Sequence, residues 1–154
     1  MGRRVHYNTP CHAHELTFSC YRRGHFLKNP LYCQYLCDAI QASRIKYRFA
    51  VWAYVFMPSH VHLLIYPVTD DYDIAEITQS IKQSVSRRVM IEARRFGVTE
   101  LKRFRTNSKS RPYRFWQTGG GYDRNIVNRS VLAQAIDYIH NNPVGAGLVK
   151  APEE

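Results

Sequence analysis

Apolar and polar positions alternate from His14 to Tyr21, where Leu16, Phe18 and Cys20 are separated by Thr17 and Ser19, the period of a half-buried strand that ends at Arg22-Arg23-Gly24. From Pro30 to about Ser43 the period changes. Leu31, Tyr35, Leu36, Ala39 and Ile40 recur every three or four residues, which predicts an amphipathic helix. Two aromatic and β-branched runs follow, Tyr47 to Phe56 and His60 to Tyr66, and the short turn Met57-Pro58-Ser59 between them predicts an antiparallel hairpin. After the acidic loop Thr69 to Asp73, a long helix is expected from Ile74 to about Phe96, with Ile77, Ile81, Val85, Val89 and Ala93 on one face.

The pattern then weakens. Residues 97–114 are dominated by Lys, Arg, Thr, Asn and Ser and read as a basic, flexible loop. Phe115-Trp116-Gln117 is expected as a short edge strand, Gly119-Gly120-Gly121 as a flexible turn, and a last helix from an N-cap at Ser130 to Asn141 or Asn142, where Pro143 stops it. The order strand, helix, strand, strand, helix, weak strand, helix fits an α+β fold, a ferredoxin-like split βαβ arrangement with an antiparallel sheet and helices packed on it. Residues 1–154 are read as one domain.

Charge changes the picture. With 22 Lys and Arg against 12 Asp and Glu, the chain carries a net +10, which points to a polyanionic partner. A hydrophobic fraction of 45% is enough for a folded interior, so this charge belongs on a structured surface. No stretch approaches the length of a membrane span and the start lacks the layout of a secretion signal, so a cytoplasmic protein is expected. Cys11, Cys20, Cys33 and Cys37 form no zinc-type pairs and are read as small buried hydrophobes.

Two segments carry candidate chemistry. On a strand, His60 and His62 share a face while Val61 and Leu63 point the other way, and two neighbouring neutral imidazoles make half of a divalent-metal site. In the last helix, Tyr138 and Asn142 are four apart and share a face, while Ile136 and Ile139 turn toward the core. A metal held by His60, His62 and the Asn142 amide oxygen would neutralise a phosphate for in-line attack by the Tyr138 hydroxyl. A phenol with a pKa of ~10 needs help to lose its proton, and neither Asp137 nor His140 shares its helical face.

These residues resemble a known family. His60-Val61-His62 within Val55-Phe56-Met57-Pro58-Ser59-His60-Val61-His62-Leu63-Leu64 is similar to the signature of HUH endonucleases, in the form found in single-tyrosine transposases of the insertion-sequence-200 type. Together with Phe115-Trp116-Gln117, Tyr122-Asp123-Arg124-Asn125 and the ending Tyr138-Ile139-His140-Asn141-Asn142-Pro143-Val144-Gly145-Ala146-Gly147-Leu148-Val149, it resembles the REP-associated tyrosine transposases. The resemblance spans roughly Thr17 to Val149. It implies an HUH-type ferredoxin-like fold, Mg2+ or Mn2+ on His60 and His62 with Asn142 as third ligand, and Tyr138 as nucleophile. It further implies single-stranded DNA cut beside a hairpin through a phosphotyrosine link, by a monomer or a homodimer. Tyr122 is the rival nucleophile.

Arg87, Arg88, Arg94, Arg95, Arg103, Arg105, Lys109, Arg111 and Arg114, interleaved with Phe104, Tyr113, Phe115 and Trp116, are the expected DNA contacts, with Trp116 as a stacking surface. Two other readings stay open. One is a non-catalytic nucleic-acid binder on the same fold, the other a hydrolase that uses water at the same histidines.

Overall fold

A computed structural model describes residues 6–153. The strands are β1 (Ala13–Ser19), β2 (Phe49–Met57), β3 (His60–Pro67) and β4 (Tyr122–Ile126). The helices are α1 (Pro30–Tyr47), α2 (Ile74–Phe96), the short α3 (Val98–Lys102) and α4 (Arg129–Gly145). The strands form one sheet in the order β2-β3-β1-β4, every neighbour antiparallel. This is the split βαβ order expected of a ferredoxin-like α+β fold.

Strand alternation gives the sheet two unlike faces. Leu16, Phe18, Val61, Leu63 and Ile65 meet α1 and α2 in the main core, with Tyr32, Leu36, Ile77, Ile81, Val85 and Val89. The opposite face presents Ala13, Ala53, Leu64 and Ile126 to Ala135 and Ile139 of α4. Because His60 and His62 alternate with Val61 and Leu63, they fall on the face that α4 covers.

The helix ends follow local chemistry. Asn29 caps α1 by accepting from the Leu31 amide at 3.0 Å, with Pro30 at the first helical position. Asp73 caps α2 by accepting from Ala75 and Glu76 at 2.8 and 3.2 Å. The cap of α4 is Asn128, not Ser130, and accepts from Val131 at 2.8 Å. Pro143 lies inside α4 rather than ending it. A proline forfeits one helical bond. The turn continues because Ala146 donates to Asn142 and Leu148 to Pro143, at 3.1 and 2.9 Å.

Three other expectations are corrected. The fourth strand is Tyr122–Ile126, whereas Phe115-Trp116-Gln117 adds a single bridge from Trp116 to Cys20 and sends Phe115 and Trp116 into the main core. Residues 97–114, read as a loop, contain the short helix α3 and one fully buried hydrophobic residue, Phe104, whose ring packs 4.7 Å from that of Phe26. Arg105 and Tyr113 form a bridge across the base of this loop. Of the cysteines, which are all free, Cys20 is buried but Cys11 and Cys37 are exposed. No helix among the described residues is long and apolar enough to cross a membrane.

Candidate active site on the α4 face of the sheet

The site grows from the register of three strands. Thr17 lies opposite His62 on one side and opposite Tyr122 on the other, so a row His62, Thr17, Tyr122 crosses the sheet. One step along, Glu15 lies between Leu64 and Arg124. The helix α4 lays Tyr138 over this surface, with its ring edge-on to His62 at a centroid distance of 5.3 Å. Glu15, Thr17, His62, Tyr122, Arg124 and Tyr138 together line an open cleft of about 410 Å³.

The two histidines are differently held. Their rings stand edge-to-face with centroids 4.9 Å apart. His62 is 5% exposed, and its Nδ1 lies 2.9 Å from Thr17 Oγ1. Its Nε2 is buried and has no hydrogen-bond partner among the described residues. Where the Nδ1–H donates to Thr17, Nε2 carries a free lone pair, the form in which histidine binds a metal. Burial pushes the His62 pKa down to about 4, with a further contribution from His60. His60, half-buried with Nδ1 3.2 Å from Ser59 Oγ, is also lowered, by burial and then by the positive charge of Arg23. Both imidazoles are therefore neutral near pH 7.

This chemistry fits a divalent cation. A buried imidazole nitrogen without a partner is costly, and a cation would satisfy it. Among the described residues no three His, Cys, Asp or Glu side chains cluster as a metal site. Asn142 lines a second cleft with Asn141, Gly145 and Ala146, and Tyr138 borders both clefts.

Two turns frame the histidine end. Cys20 donates to Ser59 at 2.8 Å and Tyr21 to Phe115 at 2.8 Å, which fixes the segment after β1 against the β2–β3 turn. Within it Arg22 and Arg23 both take left-handed backbone conformations, at φ 52° and 53°. Such conformations cost on the order of 1–2 kcal/mol each, and the positive charge of Arg23 acts on His60. On the other side Lys82 donates to the carbonyls of Gln117 and Gly119 at 3.2 and 2.6 Å, and burial lowers its pKa to about 8. It thus holds the turn that leads into Tyr122.

The expected DNA contacts separate into two groups. Arg87, Arg94, Arg95, Arg105, Lys109 and Arg111 are exposed, as is Arg103, although Arg95 and Arg103 pair with Glu92 and Glu100. Arg88 is engaged within the fold, 2.6 Å from Asp38 and 3.9 Å above the Tyr35 ring. Arg114 donates to Thr118 at 2.8 Å. Trp116 is not available for stacking on a base: it is 6% exposed, edge-on to Phe18 and Phe115, and its indole N–H donates to Lys82. Phe104 and Phe115 are buried with it. Residues that sequence reasoning missed are Glu15, Thr17, Arg23 and Arg124. The signal for the first two was present, as polar positions alternating with Leu16 and Phe18 on a strand.

The family model described as Transposase IS200 like matches residues 7–142, and the chain belongs to that family. Its fold is similar to that of a REP-associated tyrosine transposase solved bound to a REP hairpin, with a TM-score of 0.71 and 22% identity over 97% of this chain and 77% of that one. A crystallised protein of Deinococcus radiodurans R1 classed as a transposase is similar at a TM-score of 0.50 and 20% identity, over 92% of this chain and 95% of that one. A search of curated proteins finds no match.

Proposed function

We propose that this protein cuts and rejoins single-stranded DNA beside a hairpin, with Tyr138 as nucleophile. The observation that carries the reading is the Tyr138 ring edge-on to His62, whose buried Nε2 lacks a partner. His60 and His62 would hold Mg2+ or Mn2+, with the Asn142 amide oxygen as third ligand. When bound, such a cation supplies Lewis-acid neutralisation of the phosphate. Thr17 orients His62 by its hydrogen bond, and α4 fixes the position of the Tyr138 phenol.

The Tyr138 Oη attacks the phosphorus, a P–O bond to tyrosine forms, and the P–O bond to the departing nucleotide breaks. The phenol proton ends on the departing oxygen as a free hydroxyl. Because the new link remains a phosphodiester, the step reverses onto a different hydroxyl, and strand transfer needs no external energy source. The hairpin-bound relative and the net +10 charge support hairpin DNA as substrate. Phosphate contacts are assigned to Arg87, Arg94, Arg95, Arg103, Arg105, Lys109 and Arg111, which are exposed.

The test is capture of the covalent intermediate. End-labelled hairpin oligonucleotides are incubated with and without Mg2+ or Mn2+, and wild type is compared with Tyr138→Phe and Tyr122→Phe on a denaturing gel. A metal-dependent protein-linked band lost in Tyr138→Phe alone is the expected result. Loss in Tyr122→Phe alone would move the nucleophile to β4. Cleavage without a band would identify a water-using hydrolase, and binding without cleavage a non-catalytic hairpin binder.

A further inference from the structure

Across the cleft from His62, Glu15 and Arg124 form a pair that the proposed chemistry does not yet use. Arg124 Nη2 lies 2.6 Å from Glu15 Oε2, with the carboxylate side chain 7% exposed and the guanidinium side chain 43% exposed. The two residues are cross-strand neighbours on β1 and β4, and both line the cleft that contains His62 and Tyr138. A buried carboxylate at the edge of a phosphate-binding cleft would repel the strand, and an uncompensated buried charge is unfavourable. Arg124 supplies the countercharge at 2.6 Å, while Glu15 Oε2 accepts no hydrogen bond among the described residues. A guanidinium has five N–H donors in a planar fork, so donors not turned toward Glu15 remain for a second anion.

The exposure is asymmetric in the useful direction. Glu15 is packed into the sheet, where its backbone register fixes it, while Arg124 reaches outward from the edge strand. The carboxylate therefore anchors the guanidinium in one place, reducing the rotamer entropy lost when a ligand binds. Tyr122, two residues earlier on β4, flanks it in the same cleft.

We propose that Arg124, positioned by Glu15, binds the phosphate of the DNA strand at the point that Tyr138 attacks. This rests on the proposed function for the identity of the strand. Arg124 is the group that touches the phosphate, and Glu15 acts through it.

The test is a binding cycle that does not need cleavage. In the full-length Tyr138→Phe protein, a hairpin oligonucleotide with single-stranded flanks is first selected from a pool with randomised flanks. Each flank phosphate is then replaced in turn by a neutral methylphosphonate, and binding is measured with Arg124 and with Arg124→Gln. Arg124→Gln should weaken binding by on the order of tenfold and lower the salt slope by about 0.7. At one phosphate, the methylphosphonate should weaken the arginine protein while leaving Arg124→Gln unchanged.

The double variant Glu15→Gln/Arg124→Gln separates this from a purely structural ion pair, because it restores charge balance to the cleft. It should fold as stably as the parent yet bind as weakly as Arg124→Gln, while Arg124→Lys should recover part of the affinity. Recovery of full binding in the double variant would overturn the proposal. So would equal effects of Arg124→Gln at every methylphosphonate position, or a pool from which no oligonucleotide is enriched. If the protein with Tyr138 intact binds but forms no covalent link, the tyrosine chemistry fails while the Arg124 cycle is still read.

Discussion

Tyr138 and His62 meet ring edge to ring face at an interplanar angle of 86°, one supplied by the last helix and the other by the third strand. Neither element sets this geometry alone. β3 turns His62 toward α4 because Val61 and Leu63 are claimed by the main core, and α4 turns Tyr138 back because Ala135 and Ile139 are claimed by the smaller cluster. Two apolar patterns with different periods thus place a phenol against an imidazole whose outer nitrogen has no partner.

Thr17→Val tests how much of the site rests on one hydroxyl. The substitution preserves shape but leaves His62 Nδ1, 2.9 Å from Thr17 Oγ1, without its bond. A buried group left unsatisfied costs about 1–3 kcal/mol, and loss of a hydrogen bond that orients a metal-binding histidine typically weakens metal affinity by about 10–100-fold. Urea unfolding and calorimetric titration with Mn2+ measure the two effects. Thr17→Ser should recover most of both, and Mn2+ affinity untouched by valine would remove His62 from the metal site.

Gly121→Ala should be far more damaging than Gly119→Ala. Both glycines have left-handed φ, 86° and 91°. A methyl group at Gly119 would meet nothing within 4 Å, whereas at Gly121 it would lie 2.2 Å from the Thr17 carbonyl oxygen. Gly119→Ala should therefore cost about 1–2 kcal/mol from backbone conformation alone. Gly121→Ala must also push β4 away from β1, shifting Tyr122 and Arg124. Thermal unfolding of the two variants reads the difference, and equal melting temperatures would contradict the close approach.

The strands β3 and β4 show what the linear pattern could and could not carry. β3 was legible because its apolar residues alternate against a packed layer, and the histidines inherit their face from that alternation. β4 was not, since Tyr-Asp-Arg-Asn-Ile has a single buried apolar residue, Ile126, and its polar side chains find partners far away in sequence: Asp123 with His6 and His14, Arg124 with Glu15. Phe115 and Trp116 drew the expectation of a strand because aromatic residues favour both strands and cores, and here the core claimed them. The charge of Arg88 is visible in sequence, while its partners, Asp38 and Tyr35 of α1, are visible only once α1 and α2 pack. The cleft residues Glu15 and Arg124 were hidden for the same reason.

Stability should fall at low pH through Asp123. Burial alone would raise the Asp123 carboxyl, but hydrogen bonds from His14 and His6, at 2.8 and 2.7 Å, outweigh it and hold the pKa below its ordinary 3.8. The folded state therefore binds this proton more weakly than the unfolded one. The resulting stabilisation is complete above about pH 3.8 and is lost as pH falls through the lower folded value. Urea unfolding at pH 7 and at successive steps below pH 4 should show this decline. Asp123→Asn should cost about 1–3 kcal/mol at pH 7 and flatten that part of the profile, and an unchanged slope would assign the acid sensitivity to other groups.

Ile139→Ala should uncouple the site from the rest of the fold. Ile139 is fully buried, but the cluster it fills is small, with Ala13, Ala53, Leu64, Ile126 and Ala135 as its other buried members. Removing the side chain from such a site costs about 2–5 kcal/mol. The main core between the sheet and α1 and α2 contains none of these atoms, so it should stay formed while α4 loosens. Amide hydrogen exchange should then rise throughout α4 with β1 and β3 still protected, and covalent capture by Tyr138 should fall more steeply than overall stability predicts. Ile139→Val, at about 0.5–1.5 kcal/mol, should keep both the protection and the capture. If α4 and the sheet instead lose protection together in Ile139→Ala, the helix that carries Tyr138 is part of the same cooperative unit as the main core, and a mutation anywhere in that core would reach the site as readily as one beneath the tyrosine.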